Sequence, residues 1–258
     1  GAVGETLAEV AAVPDVPSLV ALLGRLTRVG ITGAVGVYVN TDDRDSSRYV
    51  VYLQQAGLGL PDESYYREDQ HEPIRTAYLP HVATMLGLAG VPDPDGAAAR
   101  VMALETRLAG SHLDNVADRD PVATYHLVSA AQLGELTPHW DWQAYAAGLG
   151  ASPEALAEVV VRQPDFLRGL DEALVEVPLA TWREWLAWHV VHSRAAYLPD
   201  AFVQENFAFY GRTLSGTPAL RERWKRGVDL ADRMIGEALG ELYVARHFPP
   251  RAAERMSQ

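Results

Sequence analysis

The stretch GLGLPDESYY (Gly57–Tyr66) decides how this chain is read. Two glycines alternate with two leucines, then a proline, two acids and paired tyrosines follow. Gly57 and Gly59 permit positive φ, and Pro61 cannot donate a ladder hydrogen bond. Asp62 is placed to cap a short helix carrying Tyr65 and Tyr66. The segment is therefore a strand exit that turns tightly and drops into a helix. The strand it leaves lies just upstream. Val35, Val37 and Val39 alternate, a polar loop NTDDRDSS (Asn40–Ser47) follows, and Tyr49–Leu53 is β-prone. Two such runs around a polar loop predict a hairpin over about 34–54.

On both sides of the hairpin the pattern is helical. Within Pro17–Val29, Leu19, Leu22, Leu23 and Leu26 form one apolar stripe, broken by Gly30 and Gly33. Ile74, Tyr78, Val82, Met85 and Leu86 form the next. Pro92 and Pro94 mark a loop, and Val101, Leu104 and Leu108 make another stripe. A short Trp-containing helix is expected near Pro138–Gly150, a short strand at Val159–Val161, and a strongly apolar helix over Leu179–Val191. Val203, Phe207, Tyr210 and Leu214 share a face. Gly216 ends that helix, and Thr217–Pro218 reads as the opening of the next. In the last helix Ala231, Met234, Ile235, Ala238, Leu239 and Leu242 keep helical spacing. The expectation is a mainly α, multi-helix domain with one small β-hairpin, a single helical lobe over 1–258.

Composition narrows the function classes. The chain has 258 residues, 48% hydrophobic and 22% charged, enough to bury a sizeable core. Its net charge of −12 repels phosphate backbones, so no nucleic-acid partner is expected. The absence of cysteine removes disulfide and thiolate chemistry and favours a reducing, cytoplasmic compartment, with a secreted one left open. No apolar run reaches the roughly 18 residues of a membrane span. GAVGETLAEV lacks a basic region followed by an apolar core, so it is no signal peptide and reads as a cleavage boundary.

The chemistry-bearing residues do not assemble into a motif. A zinc protease helix needs H-E-x-x-H. His71-Glu72 begins that way, but Pro73 follows and Arg75 takes the second histidine's place. His189 and His192 share a helical face among Trp182, Trp185 and Trp188 with no matched third ligand, and read as packed histidines. Asp42, Asp43 and Asp45 suggest an oxygen cage, but the sixth and twelfth places from Asp43 are Arg48 and Gln54, so the loop reads as solvated acid. No nucleophile elbow or phosphate loop is present, GITGAVG (Gly30–Gly36) misses the dinucleotide fingerprint, and Ser215 reads as a turn serine. Glu184, Asp200 and Glu205 read as surface or capping acids. Residue chemistry alone assigns no catalytic and no metal-binding residue to this chain.

A resemblance gives more. YVVYLQQAGLGLPDESYY (Tyr49–Tyr66) resembles a signature of the neprilysin/endothelin-converting-enzyme family of zinc metallopeptidases, in which a strand ending in glutamine leads into a G-L-P segment and a tyrosine pair. ENFAFYGRTLSGTPALRERWKRGVDLADRMIGEALGELYVARHFPP (Glu205–Pro250) resembles the same family through its Phe-x-Phe/Tyr run, the pair Arg223 and Trp224, and the Gly-x-Leu-Tyr-Val ending that carries Tyr243. VRQPDFL (Val161–Leu167) and the Trp-rich helix before residue 200 fall in matching order.

The resemblance implies a two-lobed, largely helical endopeptidase that cleaves peptides inside a closed chamber. Its zinc ligands lie after the Gly-x-Leu-Tyr-Val block, so none can be carried over to a residue here; zinc is implied for the full-length parent only. It further implies that this chain is the N-terminal, non-catalytic cover lobe, partnered by the catalytic lobe of the same protein and exposing an apolar patch towards it, with peptides as substrates of the whole. Gly57, Gly59 and Pro61 are then a structural joint, and Tyr65 and Tyr66 are candidates to face the peptide. The rival expectation is a free-standing binding or scaffold protein derived from such a lobe.

Overall fold

The computed structural model describes residues 1–248 and 255. The chain begins with α1 (Ala2–Ala12) and α2 (Val16–Arg28), then the hairpin of β1 (Val35–Asp42) and β2 (Asp45–Gln55). α3 (Ser64–Arg67), α4 (Glu72–Leu88) and α5 (Pro94–Ala109) follow, then β3 (His126–Ser129), α6 (Ala130–Leu136), α7 (Trp142–Leu149) and β4 (Glu158–Val161). α8 (Pro164–Glu176), α9 (Leu179–Arg194) and α10 (Asp200–Asn206) lead into a π-helix (Phe207–Leu214), and α11 (Arg223–His247) comes last. The fold is mainly α, as expected. Two compact units divide it, Gly1–Ser215 and Gly216–Gln258.

In the first unit the leucine stripe of α2 is buried, and Asp15 caps that helix by accepting the Ser18 N–H at 2.9 Å. Trp182, Trp185 and Trp188 on α9 are fully buried and form the centre of the core with Tyr78, Met85 and Leu86 of α4 and Leu104 of α5. The hairpin belongs to a larger sheet than expected. Its order is β1-β2-β4-β3, with β4 parallel to β2 and β3 antiparallel to β4. Val159–Val161 is thus a strand, completely buried between β2 and β3.

Three local expectations are corrected. The polar run 40–47 is mostly strand: pairing extends past Asn40 to Asp42 and resumes at Asp45, leaving Asp43 and Arg44 to turn. Its polarity serves a buried carboxylate. Asp42 is 2% exposed and accepts from the Arg44 N–H, the Arg48 guanidinium and the Tyr125 hydroxyl at 2.7–2.9 Å. Pro94 does not lie in a loop but opens α5, whose cap Asp93 takes φ 48° and accepts from the Gly96 N–H. Thr217–Pro218 opens no helix: α11 begins at Arg223 without a side-chain cap, since Thr-Pro is also a turn signal.

The second unit is α11 with its leading segment. This helix buries none of its side chains, and Trp224, Val228, Met234, Leu242 and Tyr243 are exposed. Its helical dihedrals break once, at Ile235 (φ −137°, ψ 22°). Pro249 and Pro250, which end the family-like block, lie outside the described residues.

The two glycines of the opening stretch serve different ends. Gly57 takes φ 90°, as expected of a turn. Gly59 does not; a Cβ there would sit 1.8 Å from the Tyr78 hydroxyl. Gly59→Ala should therefore destabilise the chain by about 1–3 kcal/mol through overpacking, and Gly57→Ala by about 1–2 kcal/mol through left-handed strain. Gly134→Ala, where nothing lies within 4 Å of the new carbon, should be neutral or stabilising by up to about 1 kcal/mol. Denaturant unfolding midpoints of the three variants check the order.

Candidate functional site

Of the residues singled out by sequence, Gly57, Gly59, Pro61, Tyr65 and Tyr66 lie on the segment after β2. Leaving the strand, Gly57, Gly59 and Leu60 are buried, so their backbone polar groups need partners. The Trp185 indole N–H donates to the Gly57 carbonyl at 3.1 Å. The Gly59 and Leu60 N–H groups both donate to the Tyr66 hydroxyl, at 3.1 and 3.0 Å. The Tyr210 hydroxyl donates to the Gly59 carbonyl at 2.8 Å. Pro61, with no N–H to satisfy, sits exposed at the bend. Asp62 then accepts from the Ser64 N–H at 2.9 Å and from Asn115 at 2.7 Å, which starts α3 and fixes it to the chain after α5.

Below this turn lies Glu105 of α5, fully buried. One of its oxygens accepts from the Tyr66 and Tyr78 hydroxyls at 2.8 and 2.9 Å; the other faces His189 Nε2 at 3.3 Å. Tyr78 in turn accepts from the Trp188 indole at 2.8 Å. Burial and the Glu105 carboxylate push the Tyr66 and Tyr78 phenols well above their ordinary value, so both stay protonated donors. Beside them His81 of α4 pairs with Glu205 of α10 at 2.8 Å and packs flat on Phe209.

The sequence candidates separate accordingly. Tyr66 is buried and its hydroxyl is fully engaged, whereas Tyr65 is half-buried and stacks on His71 with ring centres 4.0 Å apart. His189 and His192 are packed against Trp185 and Trp188. Arg223, Trp224 and Tyr243 stand on α11; the Trp224 indole lies under the Lys225 ammonium at 5.3 Å, and the Tyr243 ring lies 5.1 Å from that of His247. Ser215 donates to the Tyr210 carbonyl and ends the π-helix. Glu184 is held by Arg100 at 2.7 and 2.8 Å.

Among the described residues no three His, Asp or Glu side chains come together in a way that could hold a metal ion. The histidine–carboxylate contacts are pairs, His81–Glu205 and His139–Asp171 at 2.8 Å and His189–Glu105 at 3.3 Å, and in the last the carboxylate is occupied by two tyrosine hydroxyls. Zinc therefore does not fit the described residues. Sequence reading passed over Glu105 and His81, and took Tyr78 and Tyr210 only as positions on apolar helix faces. A signal existed for the first: Glu105 follows Val101 by four places and precedes Leu108 by three, so a carboxylate lies on a core stripe.

The engagement of Tyr66 has a measurable consequence. Tyr66→Phe strands two backbone N–H groups and a carboxylate, and should cost about 2 kcal/mol or more, at 1–3 per unsatisfied group. Tyr65→Phe, which removes no buried hydrogen bond, should stay within about 0.5 kcal/mol of the parent. Paired denaturant titrations compare the two.

With this geometry established, the chain can be set beside known proteins. A sequence profile of peptidase family M13, that of its N-terminal domain, matches residues 2–258. The zinc metalloprotease Zmp1 of Mycobacterium tuberculosis, solved in its open state, shares 45% identity at a TM-score of 0.94, over 98% of this chain and 40% of that one. Membrane metallo-endopeptidase-like 1 of Mus musculus is 30% identical over 229 residues, 83% of this chain and 30% of its own length. Neprilysin-3 of Drosophila melanogaster is 27% identical over 237 residues, 86% of this chain and 30% of its own. The chain thus spans less than half the length of each relative. A match along nearly its entire length makes this chain a member of peptidase family M13, corresponding to that family's N-terminal domain.

Proposed function

We propose that residues 1–258 form the cover lobe of a zinc metalloendopeptidase, walling the chamber in which a second lobe of the same protein cleaves peptides and limiting substrates by size. The observation that carries this reading is the match at TM-score 0.94 and 45% identity to a zinc metalloprotease, in which this chain accounts for 40% of the relative. Zinc and hydrolysis are assigned to the part of the parent beyond this chain, because the described residues bring no metal ligands together. The exposed apolar side chains of α11, Trp224, Met234 and Leu242 among them, are the face offered to that second lobe. Of the tyrosine pair, Tyr65 is the one with surface left to meet a peptide, since Tyr66 is enclosed.

The test begins with the coding sequence downstream of residue 258, where a helix bearing H-E-x-x-H is expected. The protein extended through that helix should bind zinc and hydrolyse short peptides, while leaving the same sequences intact inside a folded protein. The 258-residue chain alone should do neither. A stop codon at that point, or peptide hydrolysis by the purified chain alone, would overturn the reading.

A further inference from the structure

The segment 200–214, made of α10 and the π-helix, lies on the core in an unusual way. Only two of its side chains are buried, Val203 and Phe209, at 7% and 3% exposure. Hydrogen bonds reach from it into the body from Glu205 to His81 Nδ1 and from the Tyr210 hydroxyl to the Gly59 carbonyl, both 2.8 Å, and Asn206 faces His192. Its two inward rings rest on imidazoles. Phe209 lies parallel to His81 with centres 4.8 Å apart, and Tyr210 lies 4.5 Å from His192 and edge-on to His81 at 5.5 Å. A π-helix is itself a weakly favoured conformation that tends to mark functional positions. An element with so few buried side chains belongs to the low-stability end of a fold.

We propose that the segment 200–214 is an acid-released latch, freed from α4 and α9 when His81 and His192 take up protons. The groups that face this box are His81 and Tyr78 from α4, Glu105 from α5, His189 and His192 from α9, Glu205 from α10, Tyr210 from the π-helix, and Tyr66 beneath the turn. His81 Nε2 and His192 Nδ1 are buried without a well-formed hydrogen bond among the described residues, and the side chain of Asn206 on α10 is the polar group that faces His192. A second proton on His81 leaves its Nε2–H without an acceptor even though Glu205 holds Nδ1, and a proton on His192 puts a buried charge beside the neutral Asn206 amide; burial of a charged ring outweighs these partners at both sites. With the latch released, both rings reach water and the cost vanishes.

The direction follows from linkage. Burial lowers His81 despite Glu205, and burial with the neighbouring His189 and His81 lowers His192 to about 3. In the released state each titrates near the ordinary 6.5. Released protein therefore binds more protons than latched protein below about pH 6.5, and release gains up to about tenfold per pH unit per histidine as pH falls. Above that pH the latch is unaffected. Nothing here depends on the chain being a peptidase lobe.

Hydrogen exchange on the 258-residue chain at pH 7 and pH 5, corrected for intrinsic rates, tests the proposal. Opening of 200–214 should rise at least about tenfold more than opening of α2 or α9. The H81Q/H192Q protein should lose that excess. H112N should keep it, because His112, also lowered to about 4, sits under Ala56 and Phe166 away from the latch. An equal rise in every helix overturns the proposal, as does an undiminished excess in H81Q/H192Q. If the double variant does not fold, imidazole titration by NMR decides on the parent chain. Protonation of His81 and His192 in step with loss of the 200–214 signals supports the latch; protonation near 6.5 with those signals unchanged overturns it.

Discussion

A buried carboxylate without arginine or lysine among its contacts organises the first unit. Glu105 is fully enclosed, and its contacts are two phenolic hydroxyls and an imidazole. Removing such a group from water costs several kcal/mol, offset here by two hydroxyls on one oxygen, while the other oxygen approaches only His189 and makes no well-formed hydrogen bond. That requirement fixes Tyr66 relative to α5 and Tyr78 relative to α4. Through Tyr66 it fixes the backbone at Gly59 and Leu60, and through Tyr78 it fixes the Trp188 indole of α9. The turn after β2 and the helices α3, α4, α5 and α9 thus have a single mutual arrangement. Apolar packing of the tryptophans supplies the larger stabilisation, but it is non-directional; the hydrogen bonds select which packing is adopted.

The contrast with Asp42 sharpens the point. That carboxylate is nearly as buried, yet it has a guanidinium, a backbone N–H and a phenol as partners. Its pKa is held below the ordinary carboxylate range, first by the Arg44 N–H. Asp42 closes a hairpin and binds it to Tyr125, a local task for which a charged partner at the surface suffices. Glu105 lies where no long cationic side chain is present among its contacts, and its donors must come from rings already in the core. The same constraint explains why Gly59 admits no side chain: the Tyr78 hydroxyl that serves Glu105 occupies the space a Cβ would take.

These differences also determine what the sequence revealed. The leucine stripe of α2 and the apolar run of α9 could be read directly, because helical periodicity reports burial on one face. The hairpin was legible from alternation, but its companions β3 and β4, four residues each, were too short to carry a period beyond the Val159–Val161 run. The strands through 40–47 were hidden because their residues are polar and mostly exposed, with Asp42 alone buried. Glu105 was hidden because it is charged. A pattern of apolar positions treats a charged residue as surface, and only the coincidence of Glu105 with the Val101–Leu108 stripe marks it as interior. The glycine–tyrosine stretch could be recognised as a joint by its residue types, while its partners, being single side chains on four other elements, left no local trace.

This distribution of polar groups bears on what a lobe of this kind can do. Around Glu105 the tyrosines and the carboxylate are turned towards one another and towards backbone. A catalytic centre needs the opposite arrangement, titratable groups held in register with an open place for a substrate atom. Where the polar interior is taken up in this way, what these residues contribute is shape: the mutual placement of α3, α4, α5 and α9. Selection for such content would act on Gly59, Tyr66, Tyr78 and Glu105 as strongly as on any ligand of a metal, because loss of one partner strands the others.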